Sequence, residues 1–293
     1  MDRKEAAAAA ADHLRAYEPQ AYDAVADALQ ETWIRAAPPR EEQAARQWGI
    51  EALDYPAVGT PVPILRAIGK EVGKRAKRNV DDYLPLTRLL WDRYGREGRV
   101  VAAVALGPME LAQPQQVVPF IYELALTCVF WEDCDQLAMK ALEPVLRRDP
   151  GTWLEPLGQW VLDQSKWVRR AALTAIGRLP MERAEYTARC VELLEPALGD
   201  PDRDVKRALS FALRVSARGQ VEPVKQFIRD HREATDADSL WVLCDVARSM
   251  TASLLPQFAD LLPIYQAWQE SAEPKAQRSV EGAIRILERS GPG

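Results

Sequence analysis

Histidine is nearly absent from this chain: His13 and His231 are the two in 293 residues. Their separation excludes HExxH and HxH metal motifs and argues against a His-centred catalytic triad. Cysteine is scarce too. Cys128, Cys134, Cys190 and Cys244 show no CxxC spacing, which suits a reducing compartment and offers no metal knuckle. Neither GxGxxG nor GxxxxGK[ST] occurs, so no nucleotide-phosphate cradle is expected. No cofactor and no metal ligand cluster are expected. No apolar run reaches the roughly 18–20 residues of a membrane span. The alanine run near the start is flanked by Asp2, Glu5 and Asp12, so it reads as helix rather than signal peptide. A cytoplasmic protein without membrane association is expected.

What remains is a globular composition, 47% hydrophobic and 28% charged. Any enzyme built from it works with carboxylates, basic side chains and aromatics. Net charge is −5, which argues against a polyanionic partner, but the distribution is uneven. Residues 60–100 carry 10 basic and 5 acidic side chains, and residues 140–218 carry 14 and 11. Two positive blocks in an acidic chain would form a basic groove if they met, since binding follows local potential. The plainer alternative is that Lys70, Lys74, Arg75, Lys77 and Arg78 form one solvated helix face.

Strand-like alternation and NG or DG hairpin turns are missing. A helical stripe recurs instead: Cys134, Leu137, Ala138, Ala141, Leu142, Val145; then Val168, Ala171, Ala172, Ala175, Ile176, Leu179. It returns from Val205 through Leu213 and from Leu243 through Met250, with a weaker copy at Val100, Ala103 and Val104. The starts are 34, 34, 37 and 38 residues apart. That period predicts stacked helical hairpins, with Pro119, Pro144, Pro156, Pro180, Pro201 and Pro223 between helices. Ser165 and Asp200-Pro201-Asp202 read as helix starts. The expected fold is all-α: an α-solenoid of HEAT-like hairpins with a concave surface, one domain over 1–293. A monomer is expected.

Such arrays are most often protein-binding scaffolds, so function must come from side chains off the stripe. Helical rotation places Arg170 roughly opposite the buried face of its segment. Arg207, Phe211 and Arg214 lie off the stripe of the next. Arginines and an aromatic on adjacent repeats would suit phosphate and a sugar or base, although Phe211 would equally suit packing against a neighbouring helix. Trp131 and Asp135 stand one turn apart on one helix side. A carboxylate beside an indole would stabilise a developing cation. Glu132, Asp133 and Asp135 would equally be first-turn acids favoured by the helix dipole. Trp241 and Trp268 read as core.

These residues carry a resemblance. FWEDCD (Phe130–Asp135) resembles the WWDxVD stretch of the AlkD-like alkylpurine DNA glycosylases, whose second Trp and last Asp belong to the active site. KWVRRAAL (Lys166–Leu173) resembles that family's IWLQRAAI, placing Arg170 on its DNA-contacting arginine. VKRALSFALR (Val205–Arg214) resembles a segment ending GWVLR, with Phe211 where the family has a lesion-packing tryptophan. Gly59–Glu71 and Leu89–Leu106 match as well, so the resemblance runs from about 59 to 214. Residues 219–293 read as extra C-terminal helical repeats.

The resemblance implies hydrolysis of the N-glycosidic bond of cationic N3- or N7-alkylated purines in double-stranded DNA. The base is already a good leaving group, so no general acid is needed, in keeping with the near absence of histidine. Asp135 would stabilise the oxocarbenium-like sugar and orient a water. Trp131 and Phe211 would lend their ring faces. Arg170 would hold a phosphate near the lesion, and Arg169, Lys206, Arg207, Arg214, Lys70 and Lys74 would contact DNA. A non-catalytic DNA-binding member of that family and a protein-interaction scaffold are the alternatives.

Overall fold

The computed structural model describes residues 1–16, 18, 21–39 and 56–290. Every regular element among them is helical: α1 Arg3–Arg15, α2 Tyr22–Ala36, α3 Val62–Ala76, α4 Val80–Arg93, α5 Gly95–Ala112, α6 Pro114–Leu126, α7 Trp131–Leu137, α8 Glu143–Arg148. There follow α9 Pro150–Trp160, α10 Lys166–Arg178, α11 Thr187–Leu194, α12 Arg203–Ser216, α13 Val221–Asp230, α14 Ala237–Arg248, α15 Leu262–Ser271 and α16 Gln277–Ser290. The chain forms two compact units, Met1–Val145 and Leu146–Gly293. No described helix is long and apolar enough to cross a membrane.

Within each unit the helices alternate between two rows, as in a helical solenoid. In the first unit α1, α3, α5 and the α7 segment pack in succession, with α2, α4 and α6 forming the second row. In the second unit α10, α12, α14 and α16 pack in succession, backed by α9, α11, α13 and a 3-10 stretch, Leu255–Leu261. Every residue of the sequence stripes is buried, from Val100 to Met250. The repeat also shows in the side-chain hydrogen bonds that join successive hairpins. Arg99–Asp133 spans 34 residues, Ser210–Asp245 35, Trp91–Thr127 36 and Ser216–Gly177 39. Trp268 is core, as expected, and its indole donates to the Arg232 carbonyl at 2.7 Å.

The prolines do not all sit between helices. Pro119 and Pro156 lie inside α6 and α9, and Pro223 lies in the first turn of α13, where its missing N–H has no partner to lose. Pro144 has the largest consequence. In a regular α-helix its nitrogen would face the Lys140 carbonyl, but it has no proton to give and its ring collides with that oxygen. The helix widens instead into a π turn, Ala138–Leu142, closed by the Glu143 amide donating to the Ala138 carbonyl. The Lys140 carbonyl then lies against Gly107 of α5, where a Cβ would overlap it. Of the expected helix starts, Asp202 caps α12 by accepting from the Asp204 amide at 2.8 Å, whereas the Ser165 side chain makes no capping bond.

Two outcomes follow from this packing. Gly107→Ala is expected to lower stability by about 1–3 kcal/mol, because the obstacle is backbone that cannot rotate away; urea denaturation measures it. All four cysteines are buried thiols. Burial pushes those of Cys190 and Cys244 up to about 12, so both should resist iodoacetamide at pH 8.5 until the chain is unfolded. Native-state labelling at either would contradict that burial.

Candidate nucleic-acid site

The FWEDCD segment begins a short helix held from below. Phe130 is its extended N-cap, and Trp131 opens α7 at 43% exposure with its ring 5.3 Å from that of Phe130. The next two residues turn inward. Glu132 accepts from Arg96 Nε at 2.7 Å and Nη2 at 3.1 Å, and the nearly buried Asp133 accepts from Arg99 at 2.7 Å and from the Val129 amide at 3.2 Å. Arg96 also reaches Glu97 and the Thr60 carbonyl, and Glu97 accepts the amides of Val58, Gly59 and Thr60. Gln136 accepts from Arg66 of α3 at 3.4 Å. Around Asp135, then, Glu132, Asp133 and Gln136 are tied to α3 and α5, while Trp131 stays at the surface. Asp135 itself is half-buried, one turn beyond Trp131 and just before the π turn.

Lys70 and Lys74 line a cleft of about 620 Å³ in the same unit, with Arg3 and Lys4 of α1, Arg66 of α3 and Lys140 of the π turn. Sequence reasoning missed Arg3, Lys4 and Lys140. The first two stand in the acidic N-terminal segment and the third in a stretch read as buried stripe. Arg66 was missed too, although it starts an i, i+4, i+8 row with Lys70 and Lys74.

The second unit departs from expectation. Arg170 does not face solvent: it is 7% exposed and donates to the Asp204 carbonyl of α12 at 2.8 Å. The angular argument fails because α10 has neighbours on more than one side, and a position opposite the stripe still faces α12. Its companions are likewise turned toward the protein. Lys166 pairs with Asp202 and Asp204 at 3.3 Å, Arg169 with Asp200 at 2.8 Å, and Lys206 with Asp238 at 2.5 Å. Arg214 donates to the Ser249 carbonyl at 3.2 Å and lies over the ring of its own helix neighbour Phe211, which is half-buried. Burial draws the Arg214 guanidinium below its usual range. Arg207 alone of the expected contacts in this unit is exposed, with no hydrogen bond or ion pair among the described residues. Of the 14 basic residues in the block 140–218, Lys166, Arg169, Arg183, Arg189 and Lys206 are held in ion pairs, while Arg170 and Arg214 are tied to backbone carbonyls.

The expected residues thus fall into two sets, Lys70, Lys74, Trp131 and Asp135 in the first unit and Arg169, Arg170, Lys206, Arg207, Phe211 and Arg214 in the second. Among the described residues no group of three or more His, Cys, Asp or Glu could hold a metal ion. The Arg99–Asp133 pair gives a test of how α7 is held. Arg99→Met should cost about 3–5 kcal/mol, since it strands a buried carboxylate. Chemical denaturation of the variant would show this, and a decrease under 1 kcal/mol would mean that the pair does not anchor the helix.

A family model described as DNA alkylation repair enzyme matches residues 35–240, more than half of the chain. No curated protein and no solved structure is similar enough to count as a match.

Proposed function

The chain belongs to the DNA alkylation repair enzyme family, and on that premise we propose that it is a DNA glycosylase. Its substrates are cationic N3- or N7-alkylated purines in duplex DNA, and it hydrolyses their N-glycosidic bond. The repeats that carry the activity are assigned as HEAT-like hairpins.

One observation supports the assignment most: Trp131 is a large aromatic left exposed on the same short helix as Asp135, while the acids between them are neutralised by Arg96 and Arg99. The indole stays exposed although its ring stands beside that of Phe130, and its exposed face suits a sugar that becomes positively charged. Asp135 supplies the negative charge to that sugar and orients the attacking water. The alkylated base departs neutral, so no proton donor is required. Phe211 takes the lesion-packing role within its own unit, with a smaller ring face than the tryptophan of the resemblance. Arg170, tied to Asp204, acts on DNA less than the exposed Arg207 does.

Neutralised cations in the second unit favour one other reading, a family member that holds DNA without cleaving the bond. Release of methylated purines from alkylated duplex at low salt separates the two. Wild type should release base. Asp135→Asn should be slower by about 10²–10³, or roughly 3–4 kcal/mol of lost transition-state stabilisation, while keeping its affinity for duplex. Equal rates in the two proteins would remove Asp135 from the chemistry. Binding without release by wild type would establish the non-catalytic reading.

A further inference from the structure

We propose that the cleft between α1, α3 and the π turn is a clamp for a phosphodiester strand, and that α1 forms one of its walls. The proposal rests on the DNA-directed reading above and names the part of the surface that grips undamaged backbone. Residues 35–240 carry the family match, and α1 lies outside it.

The cleft holds six cations, Arg3, Lys4, Arg66, Lys70, Lys74 and Lys140, against one carboxylate, Glu71. Lys74 is paired with Glu71 at 2.5 Å. Among the described residues Arg66 meets the neutral Gln136 amide and no carboxylate. The side chains of Arg3, Lys4 and Lys70 have no hydrogen bond or ion pair among the described residues.

Two features of this arrangement act against the protein's own stability. Arg66, Lys70 and Lys74 stand at i, i+4 and i+8 on α3, where like charges repel by a few tenths of a kcal/mol per pair. Arg3 and Lys4 occupy the first turn of α1, the positive end of the helix dipole, which disfavours cations. Asp2 and Glu5 stand beside them but form no ion pair with either among the described residues. Asp2 accepts the amides of Lys4 and Glu5 at 2.6 and 2.9 Å, and Glu5 accepts the Asp2 amide at 2.8 Å. These are bonds to the helix's own backbone, and they fix the first turn that carries the cations. Ala6, Ala10 and Leu14 bury the other face of α1, and Arg75 of α3 donates to the Ala11 carbonyl, so the wall is docked. Cations repeated along α3 at about 6 Å per four residues suit a ligand with repeated negative charge better than a single small anion.

The test uses the full chain and an undamaged DNA duplex, with fluorescence anisotropy followed over a range of salt. Arg3→Ala with Lys4→Ala, and separately Lys70→Ala, should weaken binding. The slope of log affinity against log salt should fall by about 0.9 for each phosphate that the variant no longer neutralises. Lys77→Ala with Arg78→Ala removes exposed charge on the same block outside the cleft and should leave the slope unchanged. An unchanged slope in the cleft variants overturns the proposal, as does an equal fall in the control pair. Competition by inorganic phosphate, with duplex affinity unaffected in the variants, would mark a small-anion site and also overturn it. All substituted residues are exposed, and a matching thermal midpoint confirms that the fold is intact. Because no damaged base is involved, failure here is separable from failure of base release.

Discussion

Each first-row helix can bury its apolar stripe only against the next one, about thirty-five residues further along. Alanine dominates these stripes because the backbones approach closely. Gly177 of α10 lies so near Ala212 of α12 that a Cβ would overlap it, and its carbonyl accepts from Ser216 at 3.2 Å. Small residues lose little side-chain entropy on burial and let whole helix faces meet, so the stabilisation comes from area. No hairpin has this surface satisfied alone, and cooperativity within each unit follows from that.

Close approach also dictates the fate of the long cations. At a seam between helices 8–10 Å apart, an arginine or lysine reaches the next repeat before it reaches water. Arg170 and Arg214 do so by donating to the backbone carbonyls of Asp204 and Ser249, and Lys206 by pairing with the Asp238 carboxylate. A partly exposed ion pair such as Lys206–Asp238 adds little stability, ~0–1 kcal/mol, but it fixes register. Such pairs also change what a polyanion meets. A lysine already paired with a carboxylate presents a dipole, and a phosphate must displace that carboxylate to gain its full charge. Counting basic residues along the chain therefore overstates the field of the second unit.

The stripes and their period were legible because burial and helical rotation are both written in residue spacing, and every stripe position is buried. Helix class and hairpin alternation followed from them, whereas the family was legible in the short segments FWEDCD, KWVRRAAL and VKRALSFALR. The fate of Arg170 was not legible, since an angle about one helix says nothing of a second helix on its other side. Nor was the π turn. It depends on Pro144 meeting the Lys140 carbonyl in three dimensions, with Gly107 on α5 leaving the oxygen room. Arg3 and Lys4 escaped notice for a related reason: a sum over an acidic segment hides two cations that folding carries to a basic wall about 60 residues away in sequence.

The acidic balance is the strongest objection to a DNA partner, and the structure weakens it through pairing. Three carboxylates within FWEDCD would together repel a phosphate strand from the residues meant to receive it. Arg96 and Arg99 neutralise two of them from beneath, and the half-buried Asp135 is the acid of the segment proposed to act on a bound sugar. Across the second unit Asp200, Asp202, Asp204 and Asp238 are likewise matched to cations. Charges cancelled within a few ångströms contribute almost nothing beyond a Debye length of roughly 8–10 Å. The field that steers a polyanion is then set by what remains uncompensated, and around the cleft of the first unit the cations without an ion pair among the described residues include Arg3, Lys4, Arg66 and Lys70. A chain of net charge −5 can present a positive face if its acids are engaged at the seams. On the proposed function, a small number of such cations would give weak binding that declines steeply with salt, and discrimination would then fall to the chemistry proposed for Trp131 and Asp135 rather than to affinity for the backbone.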